Sequence, residues 1–228
     1  MLVDSPIPWP VVQRLPRYLT QVVVLRDEGV EWASSHVLSE ALGLTTSTVR
    51  QDLSHLDLTG VSKRGYSTRT LESVLRHELG SDHEHRMVIY GAGHLGSALL
   101  FHAQLRRHGF LPQGIVDPDP VRVGARMGRF VVRPVESLRR VVQSRQVDVG
   151  VVAVRAGVAQ VAADRLIDAG VQGILNMAYT HLKVPDRISV VDVRILARLQ
   201  ELAYALRMQE KSAGAGDKPA AAKRRRRR

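Results

Sequence analysis

Cysteine and long apolar runs are both missing from this 228-residue chain. Without cysteine, disulfides, thiolate metal sites and a cysteine nucleophile are excluded. No stretch reaches the roughly 18 continuous apolar residues of a membrane span, and the N-terminal sequence MLVDSPIPWP has neither the basic nor the apolar region of a signal peptide. We therefore expect a soluble, unexported protein of the cytoplasm.

The basic charge of the chain is unevenly distributed. Residues 211–228 carry eight Lys/Arg and one Asp, so +7 of the net charge of +11 lies in this tail. Residues 1–85 carry eight Lys/Arg against eleven Asp/Glu, a net charge of −3. Bulk charge therefore does not locate a DNA-binding region, and only a sequence motif can do so.

An apolar run, Met87–Tyr90, stops at a glycine cluster, and apolar residues with helical spacing follow it. The cluster consists of Gly91, Ala92, Gly93, His94, Leu95 and Gly96. A G-x-G-x-x-G sequence between a strand and a helix is typical of a dinucleotide-binding turn. Gly91 would make the tight turn, Gly93 would admit the pyrophosphate, and Gly96 would let helix and strand pack closely. The phosphates would bind at the helix N-terminus; an ordinary glycine-rich turn is the alternative.

A second apolar strand, Gly114–Val116, ends at Asp117, which lies 21 residues after Gly96. A carboxylate at this distance from the glycine motif can bind both hydroxyls of the adenine-side ribose. Asp117 is followed by Pro118, and no basic residue is adjacent to it. This pattern favours NAD(H) over NADP(H).

The rest of the chain predicts a Rossmann fold, an α/β fold with a doubly wound parallel sheet. Helices are predicted at 135–143 and 158–169, and strands at 147–154, 173–178 and 188–193. The strands at 147–154 and 173–178 are apolar nearly throughout, as strands buried on both faces are. Their carboxyl ends would face the nicotinamide half of the ligand, which places Asn176 in the site.

The chain ends in a helix and a basic tail. The helix, residues 195–208, has an apolar stripe and is expected to dock on another surface. The tail from Lys211 ends in five arginines. Such a segment cannot build a core, so we expect it to be disordered.

The N-terminal third predicts three helices, at residues 14–25, 35–42 and 45–56, with a glycine-containing turn between the second and third. This order is the outline of a helix-turn-helix. The exposed face of the third helix carries side chains able to read base edges or bind phosphate. They are Thr46, Ser47, Arg50 and Gln51. A turn at 59–68 carries Lys63 and Arg64 at its tip, which favours a DNA-binding winged helix over a helical hairpin without DNA affinity.

These patterns divide the chain into a winged-helix domain at 1–80, a Rossmann domain with its terminal helix at 86–210, and the tail at 211–228. The polar segment between the domains contains His83, Glu84 and His85. Structural metal sites need three or four oriented ligands, which a polar linker does not supply. We therefore expect a linker here and no metal site.

With these domains in this order, the chain resembles the Rex family of bacterial redox-sensing transcriptional repressors over residues 11–208. The resemblance lies in RLPRYL at 14–19, VRQDLS at 49–54, Gly60, Gly65 and Tyr66, GAGHLGSAL at 91–99, VDPDP at 116–120, AGVQGILNMA at 169–178, LKVP at 182–185 and LQELAYAL at 199–206. It implies a homodimer whose terminal helices exchange between subunits. It also implies operator binding by the winged helices and release of the DNA when NADH occupies the paired Rossmann domains.

Several positions depart from the family pattern. Gln51 replaces a lysine of the recognition helix. Asn176 is followed by Met-Ala-Tyr, whereas the family has Phe-Ala-Pro. Three positions that commonly tie the domains together through an arginine, a tyrosine and an aspartate align with Thr20, His102 and Arg194. We therefore expect weaker discrimination between NADH and NAD+ than the family pattern implies, and only partial release of DNA.

Two other functions stay open at this point. Tyr179 and Lys183 have the Y-x-x-x-K spacing of short-chain dehydrogenases, which need both side chains on one helical turn. Val184-Pro185 follows at once and would break such a helix, so we expect no enzyme. The other possibility is a constitutive DNA-binding relative that keeps its Rossmann domain mainly for dimerisation.

Overall fold

The computed structural model describes residues 7–215, in which a helical N-terminal region is followed by a parallel sheet. The helices are α1 Trp9–Val12, α2 Leu15–Asp27, α3 Ser35–Leu42, α4 Thr46–Leu53, α5 Thr68–Glu78, α6 His94–Leu100, α7 Ala103–Arg107, α8 Leu138–Arg145, α9 Ala156–Ala169 and α10 Ile195–Ala215. The strands are β1 Trp32–Ala33, β2 Tyr66–Ser67, β3 His85–Tyr90, β4 Phe110–Asp117, β5 Arg126–Met127, β6 Phe130–Val131, β7 Arg133–Pro134, β8 Val149–Val152, β9 Gly173–Asn176 and β10 Ser189–Asp192.

Side-chain caps fix the ends of the helices that form the helix-turn-helix. Ser34 Oγ accepts a hydrogen bond from the Val37 N–H (3.2 Å) at the start of α3. Thr45 Oγ1 accepts one from the Thr48 N–H (3.1 Å) at the start of α4. Gly43 ends α3 in the left-handed conformation, with φ of 65°. The helix-turn-helix predicted from the sequence is confirmed.

One apolar cluster holds α1 to α5 together. It is formed by the inward faces of these helices, and its fully buried members include Tyr18 and Leu71. Helix α4 buries Val49 and Leu53 in this cluster. The opposite face of α4 is therefore turned towards solvent.

A tight turn and strand β2 lie between α4 and α5, and β1 is the strand that precedes α3. Strand β2 pairs antiparallel with β1, with Tyr66 opposite Ala33, and a bridge between Val61 and Gly65 closes the turn. Lys63 lies in the turn with φ of 64°. A Cβ at Gly65, where φ is +91°, would meet the Ala33 carbonyl oxygen at 2.4 Å, so only glycine fits there. This turn and the β1–β2 pair form the wing, and the predicted winged helix is confirmed.

The later part of the chain is organised around a six-stranded parallel sheet in the order β10-β9-β8-β3-β4-β7. From β3 the chain moves outward through β4 to β7 and then returns to β8 on the opposite side of β3. Helices α8 and α9 pack on one face of the sheet, and α6 packs on the other. This is the predicted doubly wound Rossmann fold. Its strand order reverses at β3, the position where such sheets bind ligands.

Some boundaries differ from the prediction. Strand β3 begins at His85, two residues before the predicted start at Met87. The backbone of His85 pairs with Phe110, and the Nδ1 atom of its ring lies 2.6 Å from Asp148 Oδ2. Strands β5 to β7 were not predicted, since two-residue strands carry no alternation signal. Helix α10 continues past Met208 to Ala215, so residues 211–215 are helical where a disordered tail was expected. The rest of the predicted tail, 216–228, lies outside the described residues.

Residues 7–215 contain neither a membrane-spanning helix nor a cluster of metal ligands. None of the helices is long and apolar enough to cross a membrane. No group of three His, Asp or Glu side chains in this part of the chain is arranged to hold a metal ion. In the predicted linker, His85 Nε2 instead lies 3.1 Å from the Gly80 carbonyl oxygen.

Candidate functional site

The three glycines of the motif have different surroundings. A Cβ at Gly91, where φ is +115°, would meet the Ala153 carbonyl oxygen at 2.4 Å, and a Cβ at Gly96 would meet the Gly91 carbonyl oxygen at 1.9 Å. Both positions therefore need glycine for the fold itself. Gly93 has an ordinary φ of −74°, and its nearest contact would be the end of the Arg122 side chain at 3.3 Å. Gly93 thus keeps an open space clear above the turn.

This open space is a crevice of about 670 Å³ at the carboxyl ends of the parallel strands. Its walls come from the ends of β3, β4, β8 and β9, on both sides of the reversal in strand order. The lining residues are Gly91, Gly93, His94, Leu95, Asp117, Pro118, Asp119, Arg122, Ala153, Val154, Arg155, Ala156, Val158, Met177, Ala178 and Tyr179. A crevice at this position and of this size fits an extended ligand such as a dinucleotide.

Asp117 is nearly buried, with 3% of its surface exposed. Its Oδ2 accepts a hydrogen bond from the Ala92 N–H (2.5 Å), and its Oδ1 accepts one from the Asp119 N–H (2.8 Å). The carboxylate therefore joins the glycine turn to the end of β4, a role that the sequence did not reveal.

Arg122 is a second residue of the crevice that the sequence did not indicate. Its Nη1 lies 3.4 Å from Asp117 Oδ2, so a cation stands beside the carboxylate although none is adjacent in sequence. Arg122 reaches this place because the chain turns after Asp119, whose own carboxylate lies 3.7 Å from Arg122 Nε. The G-x-G-x-x-G motif ends at Gly96, well before this turn, and gives no indication of the contact.

Asn176 lies behind the crevice. It is fully buried, and its Nδ2 donates to the Thr180 carbonyl oxygen (2.8 Å) and to Asp192 Oδ1 (2.7 Å). Its Oδ1 accepts from the Ala178 N–H (3.1 Å). The amide thus fixes the loop whose residues 177–179 line the crevice. Ala92 and Gly96 likewise lie behind the surface, whereas the other residues of the glycine motif face the crevice.

The Tyr-Lys pair is not arranged for catalysis. The segment from Met177 to Ile188 contains no helix, so Tyr179 and Lys183 are not one helical turn apart. Tyr179 is more than half exposed, and the Lys183 N–H donates to Gln160 Oε1 (2.9 Å). The geometry that a short-chain dehydrogenase requires is therefore missing.

Two of the three positions that depart from the family pattern, Thr20 and Arg194, have side-chain partners elsewhere. Thr20 Oγ1 donates to the Pro16 carbonyl oxygen (2.9 Å) on its own helix. Arg194 Nη2 donates to Asp192 Oδ2 (2.7 Å). Burial opposes ionisation of Asp192, but hydrogen bonds from Arg194 and Asn176 hold the pKa of this carboxyl below its ordinary value. The charge of Arg194 is therefore balanced locally.

The candidate DNA-binding face consists of the outer surface of α4 and the wing. Ser47, Arg50 and Gln51 are exposed on α4, and Thr46 is half-buried. At the wing, Lys63 is exposed and unattached to any described carboxylate. The Arg64 guanidinium lies over the Trp32 ring, 5.5 Å from its centroid. These are the side chains that the sequence assigned to DNA.

Comparison with known families matches both parts of the chain. A family model described as "Putative DNA-binding protein N-terminus" matches residues 6–54, and one described as "CoA binding domain" matches residues 82–180. The Redox-sensing transcriptional repressor Rex of Carboxydothermus hydrogenoformans is 35% identical over 88% of this chain and 97% of that protein. The repressor of the same name from Streptomyces avermitilis is 36% identical over 95% of this chain and 86% of that protein.

Solved structures agree with these matches. RSP, described as a Rex-family repressor, has a TM-score of 0.84 and 31% identity, covering 93% of this chain and 100% of that chain. RSP in complex with β-NAD+ and operator DNA gives a TM-score of 0.84, with 31% identity and 95% and 100% coverage. RSP in complex with β-NADH gives 0.82, with 31% identity and 94% and 100% coverage.

Proposed function

The chain belongs to the Rex family of redox-sensing transcriptional repressors, and we propose that it represses transcription by binding operator DNA with an affinity set by the NADH/NAD+ ratio. The observation that carries this proposal is the joining of two sites in one chain. An exposed recognition helix and wing precede a Rossmann crevice whose Gly93 leaves room for a pyrophosphate. A repressor must meet its operator, so we place the protein in the cytoplasm.

The crevice suits NAD(H) along its length. The pyrophosphate would lie above Gly93, where the backbone can approach it closely and Arg122 and Arg155 supply positive charge. Helix α9 begins at Ala156 on the crevice wall, and its positive dipole end favours the same phosphates. The free acceptor capacity of Asp117 would serve the ribose hydroxyls. Met177 and Tyr179 would border the nicotinamide.

DNA would meet the protein in two ways. Arg50 and Gln51, with Thr46 and Ser47 beside them, would enter the major groove and contact base edges and phosphates. Lys63 and Arg64 at the wing would bind backbone phosphates without reading the sequence. Because residues 1–85 carry a net negative charge, the affinity for DNA would depend on these few cations.

A homodimer would complete this arrangement. Helix α10 leaves a run of apolar side chains exposed in the single chain, which would be costly in water. They are Ile195, Leu196, Leu199, Leu202, Tyr204 and Leu206. We propose that a second copy covers them and exchanges its own α10 in return. Separate apolar clusters before and after the linker support domains at 1–80 and 86–210.

Two measurements on the purified full chain test the proposal. In vitro selection from a random duplex library should enrich one palindromic or near-palindromic site, because paired winged helices read two half-sites. Calorimetry should detect NADH and NAD+ binding to the same protein. A chain that enriches no duplex, or that binds neither nucleotide, would contradict the proposed function.

Asp117→Asn is expected to weaken NAD(H) binding without abolishing it. The new amide keeps one acceptor oxygen, but its NH2 group would face either the Ala92 N–H or the Asp119 N–H, so one turn contact and one ribose contact would be lost. Each lost hydrogen bond to a charged group costs about 1.5–3 kcal/mol. Calorimetry should therefore show an affinity lower by at least about tenfold.

Asp119→Asn is the matched control, because Asp119 lines the same crevice but is far more exposed. We expect this variant to bind nearly as well as the wild type. If Asp119→Asn lost affinity while Asp117→Asn kept it, the ribose carboxylate would have to be reassigned to Asp119.

A further inference from the structure

On its buried side, the recognition helix α4 is held to the rest of the domain by hydrogen bonds to one of its own carboxylates. Asp52, the residue after Gln51, is 1% exposed and points into the domain. Arg14 donates to both of its oxygens, from Nε to Oδ2 (2.7 Å) and from Nη2 to Oδ1 (2.6 Å). The hydroxyl of Tyr18, which is fully buried, donates to Oδ2 (2.9 Å). Three directed hydrogen bonds thus converge on one carboxylate of α4.

Stability alone does not explain such a cluster. Replacing a buried ion pair by well-packed apolar residues is often neutral or stabilising, because the charges lose their hydration. What apolar contacts cannot supply is direction. Val49 and Leu53 hold α4 against the core, but apolar contacts do not fix the rotation of the helix about its axis or its position along that axis. A bidentate contact between arginine and carboxylate fixes both.

The cluster is placed to control the DNA-reading face. Asp52 follows directly after Arg50 and Gln51, so a small rotation of α4 about its axis would move all three side chains together. On the same turn of α2, Arg17 Nη2 donates to the Leu42 carbonyl oxygen (2.5 Å) at the end of α3. One stretch of α2 therefore holds both helices of the helix-turn-helix.

We propose that Arg14, Tyr18 and Asp52 form a positioning clamp that sets the angle at which α4 presents Arg50 and Gln51 to DNA bases. The proposal rests on the proposed function, since it concerns how operator DNA is read. Burial, followed by the hydrogen bond with Asp52, raises the pKa of Tyr18 well above its ordinary value, so the hydroxyl stays a donor. The Tyr18 hydroxyl therefore remains available to donate its hydrogen bond to Asp52 across the physiological pH range.

A second buried carboxylate in the same domain offers a matched control. Glu72 is 6% exposed and accepts hydrogen bonds from Arg26 on α2 and from Arg76 Nε (2.9 Å) on α5. It resembles Asp52 in burial and in its arginine partners, but it ties α2 to α5 instead of to the recognition helix. A purely structural role would make the two carboxylates equivalent.

The test compares Asp52→Asn with Glu72→Gln in the full chain. Wild-type protein first selects its preferred duplex, and the Kd of each variant is then measured for that duplex and for a scrambled one at one fixed salt concentration. We expect Asp52→Asn to lower the ratio of the two affinities by about tenfold, the order of one well-placed base contact. Glu72→Gln should lose comparable thermal stability and keep the wild-type ratio.

Arg14→Lys separates geometry from charge, because a lysine keeps the cation but loses the two-pronged contact. It should lower the ratio as Asp52→Asn does. If Asp52→Asn does not fold, Tyr18→Phe removes only one of the three hydrogen bonds and should lower the ratio about twofold to threefold.

A wild-type ratio in all clamp variants, or an equal loss in Glu72→Gln, would overturn the clamp and leave the proposed function standing. A wild type that selects no preferred duplex would overturn both.

Discussion

Gly93→Val is expected to abolish NAD(H) binding while leaving the fold and the DNA affinity of the nucleotide-free protein intact. The backbone at Gly93 is in a conformation that any residue adopts, and only the flexible end of Arg122 is close to a new Cβ. The valine side chain would instead fill the place of the pyrophosphate. Losing two or more charge-assisted hydrogen bonds at about 1.5–3 kcal/mol each lowers affinity by about a hundredfold or more.

Gly93→Ala is expected to weaken NAD(H) binding less than Gly93→Val does, because a methyl group occupies less of the pyrophosphate's place than an isopropyl group. Calorimetry should place its affinity for NADH between those of the wild type and Gly93→Val. Circular dichroism and binding to operator DNA without nucleotide check that both variants are folded. Unchanged nucleotide affinity in folded Gly93→Val protein would remove this crevice from consideration.

Arg50→Ala is expected to lower affinity for the selected operator by about 1–3 kcal/mol, the discrimination of one bidentate contact with a guanine. Affinity for scrambled DNA should change much less. Arg50 is exposed on α4 and makes no ion pair with a described carboxylate, so its removal breaks no ion pair among the described residues. Fluorescence anisotropy on both duplexes over a range of salt concentrations measures the effect.

Lys63→Ala is the control for this experiment, because Lys63 at the wing tip makes no ion pair with a carboxylate in residues 7–215, whereas Arg64 also contacts Trp32. It should weaken binding to both duplexes alike and reduce the slope of log affinity against log salt by about one. If Arg50→Ala instead weakened both duplexes equally, Arg50 would have to be reassigned to the DNA backbone.

Local sequence signals were sufficient for the winged helix and the glycine turn. Ser34, Gly43 and Thr45 cap helices close to the predicted helix ends, because capping depends on residues three or four positions apart. The glycine motif is equally local. Gly96 is required by its contact with Gly91 inside the strand-turn-helix unit, Gly91 by its positive φ and by the nearby Ala153 carbonyl oxygen, and Gly93 by the space above the turn.

Long-range contacts could not be predicted in the same way. Arg14 and Asp52 are 38 residues apart, and Asp117 bonds to Ala92 across 25 residues. Nothing in either segment alone indicates such a partner. Asn176 illustrates a different difficulty: a polar residue at a strand end suggests a ligand contact, and the structure also shows hydrogen bonds from its amide within its own loop. Polar residues at strand ends serve both purposes, and only the fold distinguishes them.

The strength of the redox response is a separate expectation. A ligand releases DNA only if it binds the DNA-free arrangement more tightly, and a tenfold effect needs about 1.4 kcal/mol of differential affinity. Thr20 carries no charge and is hydrogen-bonded to its own helix, and Arg194 is paired with Asp192. Neither side chain therefore supplies an unbalanced charge for a contact between the domains. We therefore expect NADH to release DNA only partly and to be weakly distinguished from NAD+.

The most direct test of the whole account is a titration of the protein–operator complex with NADH and with NAD+, using Gly93→Val as the nucleotide-blind control. Saturating NADH should lower operator affinity several-fold, NAD+ should lower it less, and Gly93→Val should respond to neither. If calorimetry showed NADH bound while operator affinity stayed unchanged, the two sites would be uncoupled. The chain would then be a constitutive DNA-binding protein, and the central claim of redox-modulated repression would be contradicted.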